Sequence, residues 1–229
     1  MEIELKNIAK ICKRHKSYYV ILKNINYKFH RKNFYYINST EGGGKTSLLE
    51  IIGLINKPTD GDILIDGKSI KKMSSNEKAS IRSKRIGFIF QKVLLNRSLN
   101  VRENILLPTY LLPKLKHDDR EKLVMDLMHE FKMEDKQDFF PDELSLSERQ
   151  KVCIIRALVN DPDVIICDDS LNNLSSRSQH VLLEYFKKMA EKGKTIIVSC
   201  SDKLPSTYAT VNLEIRNNSI IEVKNVRKV

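Results

Sequence analysis

The chain has 229 residues, 41% hydrophobic and 30% charged, and its 40 basic against 29 acidic side chains give a net charge of +11. A chain of that length buries roughly 70–75% of its unfolded surface and needs no disulfide or metal staple, and no apolar run reaches the ~18 residues of a membrane span. The positive charge reads first as a lysine-rich solvated surface and next as attraction to an anionic membrane face, and no basic motif interleaved with aromatics points to nucleic acid.

The charged, alternating start MEIELKNIAK does not read as a signal peptide, so the expected compartment is the cytosol. Ile3 to Leu5, Tyr18 to Leu22 and Ile25 to Phe29 alternate or run apolar and predict strands, as does FYYIN, Phe34 to Asn38. After Lys45 the run TSLLEIIGLI has helical spacing; TDGDILIDG, Thr59 to Gly67, is turn–strand–turn. Lys78 to Arg85 predicts a basic helix and Ile86 to Phe90 another strand. Val101 to Met133 is helical in pattern, with Pro108 and Pro113 expected at helix boundaries, and Leu144 to Val159 is a helix with its capping region. The β-branched runs DVIIC, Asp163 to Cys167, and TIIVSC, Thr195 to Cys200, suit central parallel strands, separated by a helix at Ser178 to Lys192. Val211 to Ile215 and Ile220 to Val223 are the last strands. Strand–helix–strand order predicts one α/β domain over 1–229, its sheet interrupted by a helical subdomain at about 91–158. Cys12, Cys153, Cys167 and Cys200 show no CxxC spacing and read as small hydrophobes.

STEGGGKT, Ser39 to Thr46, lies between a strand and a helix. A phosphate loop, GxxxxGK[ST], works because backbone N–H groups and a helix N-terminus converge on phosphate oxygens. Its lysine reaches the β- and γ-phosphates and the next hydroxyl ligates magnesium. Gly44, Lys45 and Thr46 supply that end, Gly42 and Gly43 allow close approach, and Thr40 and Ser47 flank it. Ser39 replaces the first glycine, at a cost of roughly 1 kcal/mol if its φ is positive. The Glu41 carboxylate repels a triphosphate unless turned outward. The plain alternative is a glycine-rich turn. NKPT, Asn56 to Thr59, is not a guanine-reading motif, because Thr59 stands where an aspartate is needed.

Four further stretches follow in order: MSSNEKASIRSKRIGFIFQ, Met73 to Gln91; NVRENILLP, Asn100 to Pro108; PDELSLSERQKVCIIRAL, Pro141 to Leu158; and PDVIICDDSLNNLS, Pro162 to Ser175. Together with the phosphate loop they resemble the nucleotide-binding subunits of ABC transporters, in the branch of lipoprotein-release, macrolide-efflux and cell-division ATPases. The resemblance implies an ABC-type P-loop nucleotide-binding domain with a mixed sheet core and an inserted helical subdomain. It implies ATP and Mg2+, with Thr46, Gln91 and Asp168 at the metal, and a second ABC subunit, as homodimer or heterodimer. In that arrangement Ser145, Ser147 and Glu148 of the signature serve the nucleotide of the other subunit. It implies docking on an integral-membrane permease at the cytoplasmic face of the cell membrane, through Val93 to Leu107 and notably Leu94 and Leu95. The expected work is export or extraction of a peptide, lipoprotein or drug. The alternative is an ATP-binding regulatory subunit with negligible hydrolysis.

The departures from that pattern fall on the chemistry. Asp169 stands in for the catalytic glutamate, one methylene shorter, which withdraws its oxygens by roughly 1.5 Å. Ser201 stands in for the switch histidine and lacks an imidazole's reach and charge. LSLSE, Leu144 to Glu148, has Leu146 and Ser147 where the signature has glycines, and Ser175 replaces the D-loop aspartate. Cys12 occupies the place of the adenine-stacking aromatic, with Tyr18 or Tyr19 as the available substitutes. Every composite site this chain can form contains one of these changes, so slow hydrolysis is expected.

Overall fold

The computed structural model describes residues 1–15, 17–40, 42–112 and 116–223. The expectations for Glu41 and Pro113 lie outside the described residues. Two sheets organise the chain. The first, β2-β1-β4-β5, is antiparallel and joins β1 (Ile3–Arg14), β2 (Ser17–Phe29), β4 (Asp60–Ile65) and β5 (Lys68–Ser69). The second, β10-β9-β3-β8-β7-β6, joins β3 (Phe34–Ser39), β6 (Ile86–Ile89), β7 (Val164–Asp168), β8 (Thr195–Ser199), β9 (Val211–Arg216) and β10 (Ser219–Val223). Its β10–β9 pair is antiparallel and the rest are parallel, the mixed sheet that the resemblance implies, with β7 and β8 central and parallel as their β-branched runs predict. Tyr18 to Leu22 and Ile25 to Phe29, expected as two strands, are one. The polar pair between them is absorbed where Asn24 takes φ 50° and the register with β1 shifts, an irregularity of the bulge kind.

The apolar runs of the central strands are explained by burial on both faces. Val164 and Ile166 of β7 join one core and Ile165 and Cys167 the other; Ile197 and Ile196 of β8 divide the same way. Helix α1 (Lys45–Ile52) lies in the first core, where Leu48, Leu49, Ile51 and Ile52 meet Ile3, Leu5 and Ile63 of the antiparallel sheet. Each such side chain contributes roughly 1.5–3 kcal/mol on burial, so the start of α1 is fixed between two sheets.

Helix α2 (Ser75–Arg85) leads into β6. Between β6 and β7 the chain forms α3 (Val101–Leu106), a 3-10 turn at Leu107–Leu111, α4 (His117–Glu130) and α5 (Leu146–Leu158), and no strand among the described residues. Pro108 ends α3 by opening that turn, as expected. Helix α6 (Ser176–Glu191) joins β7 to β8, and Phe186 and Leu183 on it share the second core with Ile155 and Val152 of α5. No helix among the described residues is long and apolar enough to cross a membrane. Cys153, Cys167 and Cys200 are buried and free, Cys12 is half-buried and free, and none has a disulfide partner among the described residues.

Candidate functional site

The chain leaves β3 at Ser39, turns through three glycines and enters α1 at Lys45. Gly42 has φ 72° and Gly44 φ 91°, values that side chains other than glycine rarely adopt. Gly43 is needed for a different reason: a Cβ there would sit 2.8 Å from the Ser39 Cβ and from the Thr40 carbonyl oxygen. Ser39 is not among the residues with positive φ, so the strain foreseen for it does not arise; its hydroxyl donates to the Thr40 carbonyl at 2.8 Å.

The N-terminus of α1 is left open. Its first internal bond runs from the Leu48 N–H to the Gly44 carbonyl at 2.9 Å, so the N–H groups of Lys45, Thr46 and Ser47 have no helical acceptor. No side chain caps it and its first turn carries no acidic residue. The other α-helices among the described residues differ: α2, α3, α5 and α6 are capped by Ser74, Asn100, Ser145 and Ser175, and α4 carries Asp118 and Asp119 in its first turn. Lys45 has no ion-pair partner among the described residues. A concentration of unanswered donors at a helix start is an anion site in waiting.

The facing wall is the C-terminal end of β7 and the turn after β8. Asp168, 3% exposed, accepts from the Ser199 hydroxyl at 3.0 Å and the Thr46 hydroxyl at 3.3 Å. Burial pushes its carboxyl pKa upward, against the two hydroxyls that favour the charged form. Among the described residues no cluster of three His, Cys, Asp or Glu could cage a metal. One desolvated carboxylate next to a threonine hydroxyl nevertheless fits a hard cation that takes its other ligands from phosphate and water, as magnesium does.

Asp169 has φ 42°, a left-handed backbone that aspartate tolerates better than most side chains. Its N–H donates to the Ser199 carbonyl at 3.0 Å. Its carboxylate accepts from the Asn172 amide at 3.0 Å, the Ser201 N–H at 3.1 Å, the Ser201 hydroxyl at 3.3 Å and the Gln91 amide at 3.3 Å. The Ser201 turn is itself held from β3: the Tyr36 hydroxyl, its pKa pushed up to about 12 by burial, donates to the carbonyls of Cys200 at 3.3 Å and Asp202 at 3.0 Å.

Between these walls lies a cavity of about 710 Å³. It brings together Cys12, Ser39, Gly42, Gly43, Gly44, Lys45, Thr46, Ser47, Gln91, Asp168, Asp169 and Ser201 of the residues singled out from sequence. Thr40 does not line it. Lys13, Ile21 and Asn38 line it and were missed, because a strand residue's outlook onto a loop depends on register, not on local pattern. Asn172 was missed as well; a polar residue on a turn just after a paired carboxylate was the signal. Neither Tyr18 nor Tyr19 lines the cavity: they are 70% and 51% exposed, paired across the hairpin with Lys13 and Cys12.

Ser145, Ser147 and Glu148 do not line this cavity. They form the N-terminus of α5, where the Ser145 hydroxyl caps the Glu148 N–H at 3.3 Å. The Glu148 carboxylate accepts from the Ser145 N–H at 2.8 Å and its hydroxyl at 2.7 Å. Those two bonds hold its pKa below the usual carboxylate value. Leu146, between them, is 50% exposed.

The sequence matches the family model described as ABC transporter over residues 22–172. It is 35% identical over 223 residues to an uncharacterized ABC transporter ATP-binding protein of Methanocaldococcus jannaschii, covering 97% of this chain and 99% of that protein. It is 33% identical over 220 residues to the lipoprotein-releasing system ATP-binding protein LolD of Buchnera aphidicola, covering 96% of each. To the macrolide export ATP-binding/permease protein MacB of Campylobacter jejuni it is 34% identical over 219 residues, 96% of this chain but 33% of that longer protein. Among solved structures, the dimeric post-hydrolysis state of an ATP-binding cassette bound to ADP and Pi superimposes with a TM-score of 0.91, at 29% identity over 99% of this chain and 100% of that one.

Proposed function

The chain belongs to the ABC transporter family, and from that premise we propose that it is an ATP-binding subunit that docks on a separate membrane permease. The observation that carries the nucleotide-binding part of this reading is the open N-terminus of α1 beside Lys45, while the other α-helix starts among the described residues are capped or acidic. The N–H groups of Lys45, Thr46 and Ser47 and the Lys45 ammonium hold phosphate oxygens. Thr46, Gln91 and Asp168 hold Mg2+, which, when bound, neutralises charge on the phosphates. The stretch from about Gln91 to Leu158 is read as the family's helical subdomain.

Hydrolysis on this reading is slow. Asp169 is the acceptor for the proton of the attacking water, and Ser201 orients it, but the short side chain sits back and four donors already engage it. A misplacement of about 1 Å costs on the order of 100-fold in a positioned reaction. In a homodimer or heterodimer the Ser145–Glu148 segment faces the other subunit's nucleotide, with Leu146 in place of a glycine. The cargo classes suggested by the relatives' names are a lipoprotein or a macrolide-like drug, with a peptide as the further class expected from sequence. The engagement of Asp169 also favours a second reading, a regulatory subunit that binds ATP and turns over negligibly.

The permease-facing surface is proposed at Leu94, which is 53% exposed and whose carbonyl is held by Arg156 at 2.6 Å. Leu95, weighed equally from sequence, is half-buried against the second core, so its substitution would perturb folding first. Steady-state ATP hydrolysis measured with the co-expressed permease tests the reading. Leu94→Asp is expected to lose co-purification while keeping ATP binding; normal co-purification would place the docking surface elsewhere.

A further inference from the structure

We propose that Asn172 is a positioning residue for Asp169: with the Ser201 backbone it ties down one carboxylate oxygen and leaves the other as the oxygen that works. This rests on the reading of Asp169 as proton acceptor given above. The two oxygens are unequally engaged. Oδ1 accepts from the Asn172 amide at 3.0 Å, the Ser201 N–H at 3.1 Å and the Ser201 hydroxyl at 3.3 Å. Among the described residues, Oδ2 accepts from the Gln91 amide at 3.3 Å and, at 3.4 Å, from the same Ser201 hydroxyl. Two N–H donors alone fill Oδ1, whereas Oδ2, facing Gln91 on the cavity wall, has a single N–H donor and only a share of the one Ser201 proton.

The amide of Asn172 is oriented from its other end. Its Oδ1 receives the Cys200 thiol at 3.6 Å, and burial raises the pKa of that thiol and so keeps it protonated as a donor. That leaves Nδ2 for Asp169. Asn172 is exposed, on the 3-10 turn Leu171–Asn173, so its side chain makes this bridge without serving a core. With Asp169 already fixed at φ 42°, the residual freedom of its carboxylate is rotation about the side chain, and that is what the amide removes.

The test has two arms, one without nucleotide. In the nucleotide-free protein Asn172→Ala is expected to lower the melting temperature by about 2 °C. In an Asp169→Ala background the same change is expected to lower it by less than ~0.5 °C, because the partner is gone. Equal losses in both backgrounds overturn the clamp. In the second arm, Asn172→Asp keeps the side chain's shape, removes the donor and adds a like charge. It is expected to reduce kcat about tenfold or more while the ATP dissociation constant stays within about twofold, a split that a merely structural role would not give. Asn172→Ala falls less, because no repulsion is added. Unchanged kcat in both variants, or a wild type that binds ATP and hydrolyses none, overturns the positioning role. A wild type that does not bind ATP at all strikes the parent reading instead, and the first arm still decides whether the clamp exists.

Discussion

Two helix starts in this molecule carry the same backbone charge and treat it in opposite ways. At α1 no side chain caps the first-turn N–H groups and the turn itself carries no acidic residue, so they face the cavity unanswered; at α5 the molecule's own Ser145 and Glu148 close the end in a capping box. A helix N-terminus holds roughly half a positive charge, so the first is poised for an external anion and the second has answered itself with an internal one. The difference teaches that an open site is recognised by what the chain withholds from it. On the proposed reading it also separates binding, centred on the open start of α1, from turnover, which is proposed to use the second start and Asp169, the carboxylate just after β7.

The strongest way to break that separation is to repair the turnover half alone. Asp169→Glu with Ser201→His and Leu146→Gly is expected to raise kcat at least about a hundredfold, roughly 2.7 kcal/mol of barrier. Asp169→Glu by itself is expected to give less than about tenfold, because groups acting as a unit do not add. The left-handed backbone at Asp169 and its Asn172 bond both suit the shorter side chain. Rates of the wild type, singles and triple with the same permease decide this; a wild type already as fast as relatives with intact motifs, together with a triple no faster, would mean the departures are harmless.

The closed helix start sharpens the contrast through stability. Ser145→Ala is expected to cost about 1 kcal/mol, or about 2–4 °C in melting temperature, while the subunit's own ATP affinity is unchanged. A change in that affinity would mean the two helix starts are not independent.

A smaller effect is expected at Asp168, whose raised carboxyl pKa means that the folded state resists its charge. Stability from this group is greatest below the ordinary carboxylate range and is lost as pH rises through the folded-state value. Asp168→Asn is therefore expected to raise the melting temperature of the nucleotide-free protein by about 2 °C at neutral pH. The gain should vanish in acid, where both side chains are neutral. A gain independent of pH would assign it to packing instead of charge.

Much of this was legible in sequence, for identifiable reasons. FYYIN running into three glycines and TSLLEIIGLI located the loop and α1, because a buried strand, a turn and a helical period are local patterns. DVIIC and TIIVSC were legible as central strands because burial on both faces leaves no polar alternation. The divided antiparallel sheet and the single long β2 were not, since pairing and bulges are set by contacts between distant residues such as Ile8 and Ile25. The place of Tyr18 and Tyr19 turned on hairpin register. The absence of strain at Ser39 turned on a backbone angle, and the engagement of Asp169 on a turn that brings Asn172 back to it.

Nucleotide binding at the open start of α1 is the claim on which the rest stands, and a thermal shift with Mg-ATP measures it directly. At about 100 times the dissociation constant, binding adds roughly 2.7 kcal/mol. For a domain of this size that is about 5–10 °C in melting temperature, and Lys45→Ala is expected to remove most of it. A wild type unshifted at millimolar ATP, or a Lys45→Ala variant shifted as much as the wild type, would contradict the account.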